Sequence, residues 1–145
     1  MRFDGHWHLS KDGILRPAIT AYVVDFEGID LEFKMLVDTG ADRTIFAEAL
    51  LTQFEFDPEK CSMLHVEGVG GEAESIVFDT KIFLTRDGGL KIPVKGRFAI
   101  FTDPNALEIS ILGRDVLNNF ALIVDRAGDV VCLLTGNHRY IIQET

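Results

Sequence analysis

The sequence predicts an all-β protein. Short runs rich in β-branched and aromatic residues recur along it, turn signals punctuate them, and no low-complexity stretch or Pro/Gly-rich linker interrupts the pattern. Many short strands spaced by turns imply a closed or sandwiched β domain. At 145 residues the chain is most economically one domain, 1–145, long enough to bury a core.

The elements follow in order. "ILRPAITAYVVDF" (14–26) reads as a strand, and Pro17 points to an edge position or a strand start because proline cannot donate to a ladder. "EGID" (27–30) is a turn. "LEFKMLV" (31–37) alternates and then becomes continuously apolar, so the two runs form a hairpin that ends at Asp38. "TIFAEALLTQF" (44–54) opens as a strand and is expected to turn helical at Ala47, giving a helical stretch over 47–60. "SMLHVEGVGGEAESIVFDTKIFLT" (62–85) is a pair of strands folded about "EGVGGE", and "RDGG" (86–89) turns the chain into "LKIPVKGRFAIF" (90–101). After a loop with Pro104 come a strand "EISIL" (108–112), a short helix "RDVLNNF" (114–120), and strands "ALIVD" (121–125) and "VVCLL" (130–134) about the turn "RAGD". "RYII" (139–142) is a candidate last strand. There is also an internal echo: "FKMLVDTGAD" and "EISILGRDVL" each run an apolar strand into a glycine-containing loop.

Composition removes several function classes. With 14 basic and 23 acidic residues the net charge is −9, and the basic residues form no run, a field that repels nucleic acid and anionic membranes. No window approaches the ~18 apolar residues of a membrane span. The N-terminal "MRFDGHWHLSKDG" lacks the apolar segment of a signal peptide. Cys61 and Cys132 form no CxxC and are expected to be free, reduced and buried, which points to a cytoplasmic protein. His6 and His8 in "HWH" would share one face of a strand, but no Cys or carboxylate pattern joins them, so neither a metal nor another cofactor is expected. Trp7 is a core or interface aromatic. His65 and His138 show no partner, and phosphate-loop, dinucleotide and Gly-x-Ser-x-Gly signatures are absent.

"LVDTGADRT" (36–44) places a carboxylate, Asp38, where an apolar strand ends and almost no side chain follows. Asp-Thr-Gly can be a plain turn, since Asp bonds its own backbone and Gly accepts unusual dihedrals. It can equally be a tight loop that presents the acid for chemistry, and the three letters do not decide. Two further elements follow it in order: the glycine-rich hairpin "VEGVGGE", and "ILGRDVL", an apolar strand running into Gly-Arg-Asp before a helix. Together they resemble the retropepsin family, the single-domain aspartic proteases of retroviral type, over roughly residues 14–135.

The resemblance implies a closed acid-protease barrel with one or two short helices and a β-hairpin flap. It implies an aspartic endopeptidase in which two carboxyls share one proton over a water, one acting as base while the other polarises the scissile carbonyl. Asp38 takes the catalytic role. Thr39 is the residue that bonds across to the second loop, and Gly40 lets two carboxyls approach. Gly68, Val69, Gly70 and Gly71 form the substrate-covering flap tip. Arg114 pairs with Asp42, which can also meet substrate backbone, and Asp115 caps the following helix. An arginine just beyond a buried strand is costly unless paired.

Only one Asp-Thr-Gly exists here, so the second aspartate must come from another copy, which makes the expected partner a second chain on a twofold axis and the ligand a peptide or protein. The opposing reading is a catalytically inactive dimerisation or peptide-binding module on the same fold, and a peptide digest separates the two. The chain departs from the minimal viral enzymes in its first 13 residues, in 47–60 and in 101–107, and its termini do not match their interleaved dimer sheet. A cellular, bacterial member is the expectation.

Overall fold

A computed structural model of the chain describes all residues except Phe26, Glu55, Phe56, Val69 and Gly70. The described strands are β1 (Arg2–Asp4), β2 (His6–Leu9), β3 (Leu15–Val24), β4 (Asp30–Val37), β5 (Ile45–Phe46), β6 (Ser62–Gly68), β7 (Gly71–Thr85), β8 (Lys91–Phe101), β9 (Ser110–Leu112), β10 (Ala121–Asp125) and β11 (Val130–Leu134). One α-helix, α1, spans Arg114–Leu117. The fold is all-β, as its sequence predicts.

Eight strands run in the order β2-β3-β4-β9-β5-β8-β7-β6, and β3 also pairs with β7 through Ala21–Leu84 and Tyr22–Phe83. That second pairing brings the sheet back on itself, so β3, β4, β9, β5, β8 and β7 form a closed ring with β2 and β6 outside it. A smaller sheet, β1-β11-β10, ties the two ends of the chain together. The alternation read from 31–37 puts Met35 and Val37 inward beside Ile19, Ala21 and Val23 of β3. Phe46 sits at the centre, stacked on Phe54 and edge-on to Phe33 and Phe98. The four consecutive buried residues Phe98–Phe101 bury both faces of β8: Phe98 and Ile100 join this main core, while Ala99 and Phe101 join a second cluster with Ile45 and Val77. That second cluster lies beneath the cleft described below.

Three expectations need correction. The stretch 47–60 holds two single 3-10 turns, Glu48–Leu50 and Pro58–Lys60, rather than a continuing helix. Ala47 offers the first no side-chain cap, and the residue before Pro58 is sterically pushed out of helical geometry, so Asp57 caps a new turn by accepting the Glu59 N–H at 3.0 Å. "RYII" makes no strand; Ile141 and Ile142 are almost fully exposed. The strand read at "HWH" is β2, and Gly5, which separates it from β1, fits where a Cβ would lie 2.4 Å from the Ala18 carbonyl oxygen. Cys61 and Cys132 are both free; Cys132 is buried as expected, but Cys61 is only half-buried, its thiol donating to the Asp57 carbonyl. Among the described residues, no helix is long and apolar enough to cross a membrane.

Candidate active site

The internal echo is spatial. β4 and β9 pair in parallel, with Met35 opposite Ser110, Leu36 opposite Ile111 and Val37 opposite Leu112. The loops that follow them therefore leave the barrel side by side, with Asp38 next to Gly113. The Asp38 N–H donates to the Leu112 carbonyl at 3.1 Å, continuing the ladder by one bond into the loop. Asp38 is half-buried, and its Oδ1 accepts the Gly40 N–H at 2.9 Å. A Cβ on Gly40 would lie 3.1 Å from that same oxygen, so glycine leaves the carboxylate room. Thr39 and Gly40 are both exposed beside it.

The second loop grips the first. Arg114 and Asp115 donate backbone N–H bonds to the carbonyls of Ala41 (2.8 Å) and Asp42 (3.2 Å). Thr44, fully buried, has the central part. Its hydroxyl donates to Asp115 Oδ1 at 2.7 Å and accepts the Gly113 N–H at 3.0 Å, while its own N–H donates to the same carboxylate. Gly113 is obligatory for this closeness, since a Cβ there would sit 2.3 Å from the Arg43 carbonyl oxygen. Behind Thr44, buried Ser110 accepts the Ala47 N–H at 2.9 Å, fixing the chain where it leaves the loop.

This corrects the reading of Asp115. Gly113 occupies the N-cap of α1, and the Asp115 carboxylate, besides accepting the Val116 N–H, mainly ties the Asp38 loop to the helix through Thr44. Sequence reasoning missed Thr44, because a threonine opening a β-branched run reads as a strand former and its partner is 71 residues away. Thr44→Val keeps the shape, strands the Gly113 N–H and removes a charge-assisted bond. It is expected to cost about 3 kcal/mol of stability, with Thr44→Ser much milder, as read from urea unfolding. Equal stability of Thr44→Val and wild type would show that the network does not hold the loops.

Asp42 and Arg114 are hydrogen-bonded as an ion pair within one chain. The expectation of a buried pair does not hold: the two side chains are 80% and 49% exposed. The guanidinium leaves the barrel along the surface rather than into the core. Removing either partner is therefore expected to cost at most about 1 kcal/mol in the isolated chain, not the several of a buried pair. A thermal or urea measurement showing about 3 kcal/mol or more would mean that the pair is desolvated.

Asp38, Gly40, Asp42 and Arg43 line one side of a cleft of about 840 Å³. Its other walls are apolar positions of the β6–β7 hairpin (Leu64, Val66, Ala73), Ile45 and Ile111 beside the loop, and Phe101, Ala106 and Leu107 from the 101–107 segment. Gly68 and Gly71 are paired where the hairpin turns, and Val69 and Gly70, the remaining flap-tip positions of the sequence reading, lie outside the described residues. His65 and Glu72, facing each other across this hairpin at 3.5 Å, also line the cleft. His6 and His8 stand on β2, and burial lowers the pKa of His6, helped by the nearby Lys34 charge. Among the described residues, no three His, Cys, Asp or Glu side chains come together as a metal site.

A closed β ring with a carboxylate at a strand end, beside a cleft that a hairpin helps to line, is the acid-protease fold. Solved structures agree. EIAV protease complexed with the inhibitor HBY-793 superimposes with a TM-score of 0.51 at 23% identity, over 71% of this chain and 86% of that one. A retropepsin-like aspartic protease from Rickettsia conorii superimposes with a TM-score of 0.53 at 20% identity, over 92% and 88%. The family model of the retroviral aspartyl protease matches residues 14–124. The chain belongs to the retroviral aspartyl protease family. No curated protein sequence matches it.

Proposed function

We propose that the protein is an aspartic endopeptidase whose active form is a homodimer, with one Asp38 from each copy making the catalytic dyad. The observation that carries this reading is the position of Asp38. It ends a barrel strand, is held by backbone bonds on both sides, and lines a cleft whose other walls carry apolar side chains. The neighbouring loop has Gly113 and Arg114 at the corresponding point, so one chain supplies only half of an acid pair.

In the dimer the two carboxyls share one proton, because like charges that close do not both ionise. The ionised one takes a proton from a bound water, and that water attacks the scissile carbonyl. The protonated one donates to the carbonyl oxygen, and the resulting tetrahedral intermediate collapses as the amine leaves with a proton. An extended peptide lies between the β6–β7 hairpin and the floor, its apolar side chains against Ile45, Val66 and Ile111. The hairpin, with the Gly68–Gly71 pair at its end, acts as the lid. Thr39 bonds across the axis to the other loop, and Asp42 meets the substrate backbone. Two free thiols fit a reducing, cytoplasmic setting.

Digestion of a proteome-derived peptide library, with and without a statine inhibitor that mimics the tetrahedral intermediate, tests the reading. Statine-sensitive cleavage between apolar side chains is expected. A purified, folded dimer that cuts nothing would leave only a binding module.

A further inference from the structure

The charged groups lining the cleft are not equally committed. Asp42 is paired with Arg114, His65 faces Glu72, and the Asp103 carboxylate accepts the Asn105 N–H at 2.8 Å. Arg43 makes no ion pair or side-chain hydrogen bond among the described residues, yet it lines the same cleft on the Asp38 loop. Its backbone is fixed from both sides. The Asp42 carbonyl before it accepts the Asp115 N–H, its own carbonyl packs against Gly113, and the Thr44 N–H after it is held by Asp115. The loop thus presents an unspent, always-charged fork of donors from a rigid base, five residues after Asp38 and beside apolar walls. The chain as a whole carries −9, so a substrate acid meets net repulsion unless a free basic group stands beside it.

We propose that Arg43 is a specificity-determining residue: the cleft favours peptides carrying Asp or Glu at the position that lies over residues 42–43. This rests on the peptide-cleft reading above and adds a substrate class to it. A twofold dimer holds two copies of Arg43, so the acid is accepted on either side of the cut. The selection is electrostatic at a partly exposed rim, so it is moderate in size and weakens as salt rises.

The test uses peptide sets identical except for Asp/Glu, Asn/Gln or Lys at each position. Cleavage is measured with wild type, Arg43→Ala, Arg43→Lys and Arg43→Glu, and binding with Asp38→Asn and its double variants. Wild type is expected to favour the acid over its amide about fivefold in kcat/KM. The ratio should fall to near one in Arg43→Ala, survive in part in Arg43→Lys, and turn towards Lys in Arg43→Glu. An acid preference that Arg43→Ala and Arg43→Glu leave unchanged overturns the proposal. So does wild-type enrichment of Lys or Arg, which would mean that Asp103 sets the charge of the cleft. If no peptide is cut but Asp38→Asn binds the acidic set better, and the Arg43→Glu double variant reverses this, the proposal stands and the proteolytic reading falls. No charge preference in either measurement overturns it.

Discussion

Asp38→Asn is expected to lower kcat/KM by roughly a thousand- to ten-thousand-fold while leaving the fold and the assembly intact. The substitution is nearly isosteric. The amide oxygen still accepts the Gly40 N–H that Oδ1 accepts now, and the Asp38 N–H bond to Leu112 belongs to the backbone. The neighbouring loops are held by Thr44, Gly113 and Asp115, none of which the change touches. What is lost is basicity: an amide neither takes a proton from water nor shares one with a partner carboxyl. In a homodimer both halves are lost at once, so no residual carboxylate remains at the axis. Activity of the purified variant should be measured beside its thermal midpoint. A variant that unfolds early would blur the comparison, whereas one that melts like wild type and still cuts at a similar rate would remove Asp38 from the mechanism.

Much of this site is legible in the sequence because the signals are local. An apolar run that loses its alternation near Met35 announces a strand buried in a barrel, and the acid-glycine loop after it is contiguous. The strand pairs 15–37 and 62–101 are legible for the same reason, since hairpins join neighbours in sequence. Even the faint echo between 33–42 and 108–117 has a physical origin in the parallel pairing of β4 with β9. The rest depends on tertiary placement. That Thr44 bonds Asp115, or that Gly113 lies against Arg43, depends on contacts across about 70 residues that no spacing rule encodes. The exposure of Arg114 is equally hidden: a strand end can point along the surface or into the core, and the letters "ILGRD" are the same in both cases. The short strand β1 is hidden as well: only three residues long, it sets Phe3 between two charged residues and pairs with β11, about 130 residues away.

Specific activity is expected to fall as the enzyme is diluted through its dimer dissociation constant, and excess Asp38→Asn chain is expected to poison the wild type. Both follow from the count of carboxyls. β4 delivers one aspartate to the barrel mouth, and the strand paired beside it, β9, delivers Gly113 and Arg114. Asp115, the acid that follows them, is already held by the Thr44 hydroxyl and the Thr44 and Val116 N–H groups, so it is not free to act as the second acid. On this reading a lone chain has no partner to share the proton. Two copies on a twofold axis restore the pair and place two hairpins over one cleft. The poisoning follows from random pairing. With the variant in threefold excess, roughly a quarter of wild-type chains meet another wild-type chain, so activity per wild-type chain should drop about fourfold. A heterodimer that kept half the activity would give a far shallower curve, so the shape distinguishes a shared dyad from two independent sites. Light scattering across the same dilution series fixes the mass of the active species. Full, concentration-independent activity in a strictly monomeric sample would overturn the dimer and the shared dyad together.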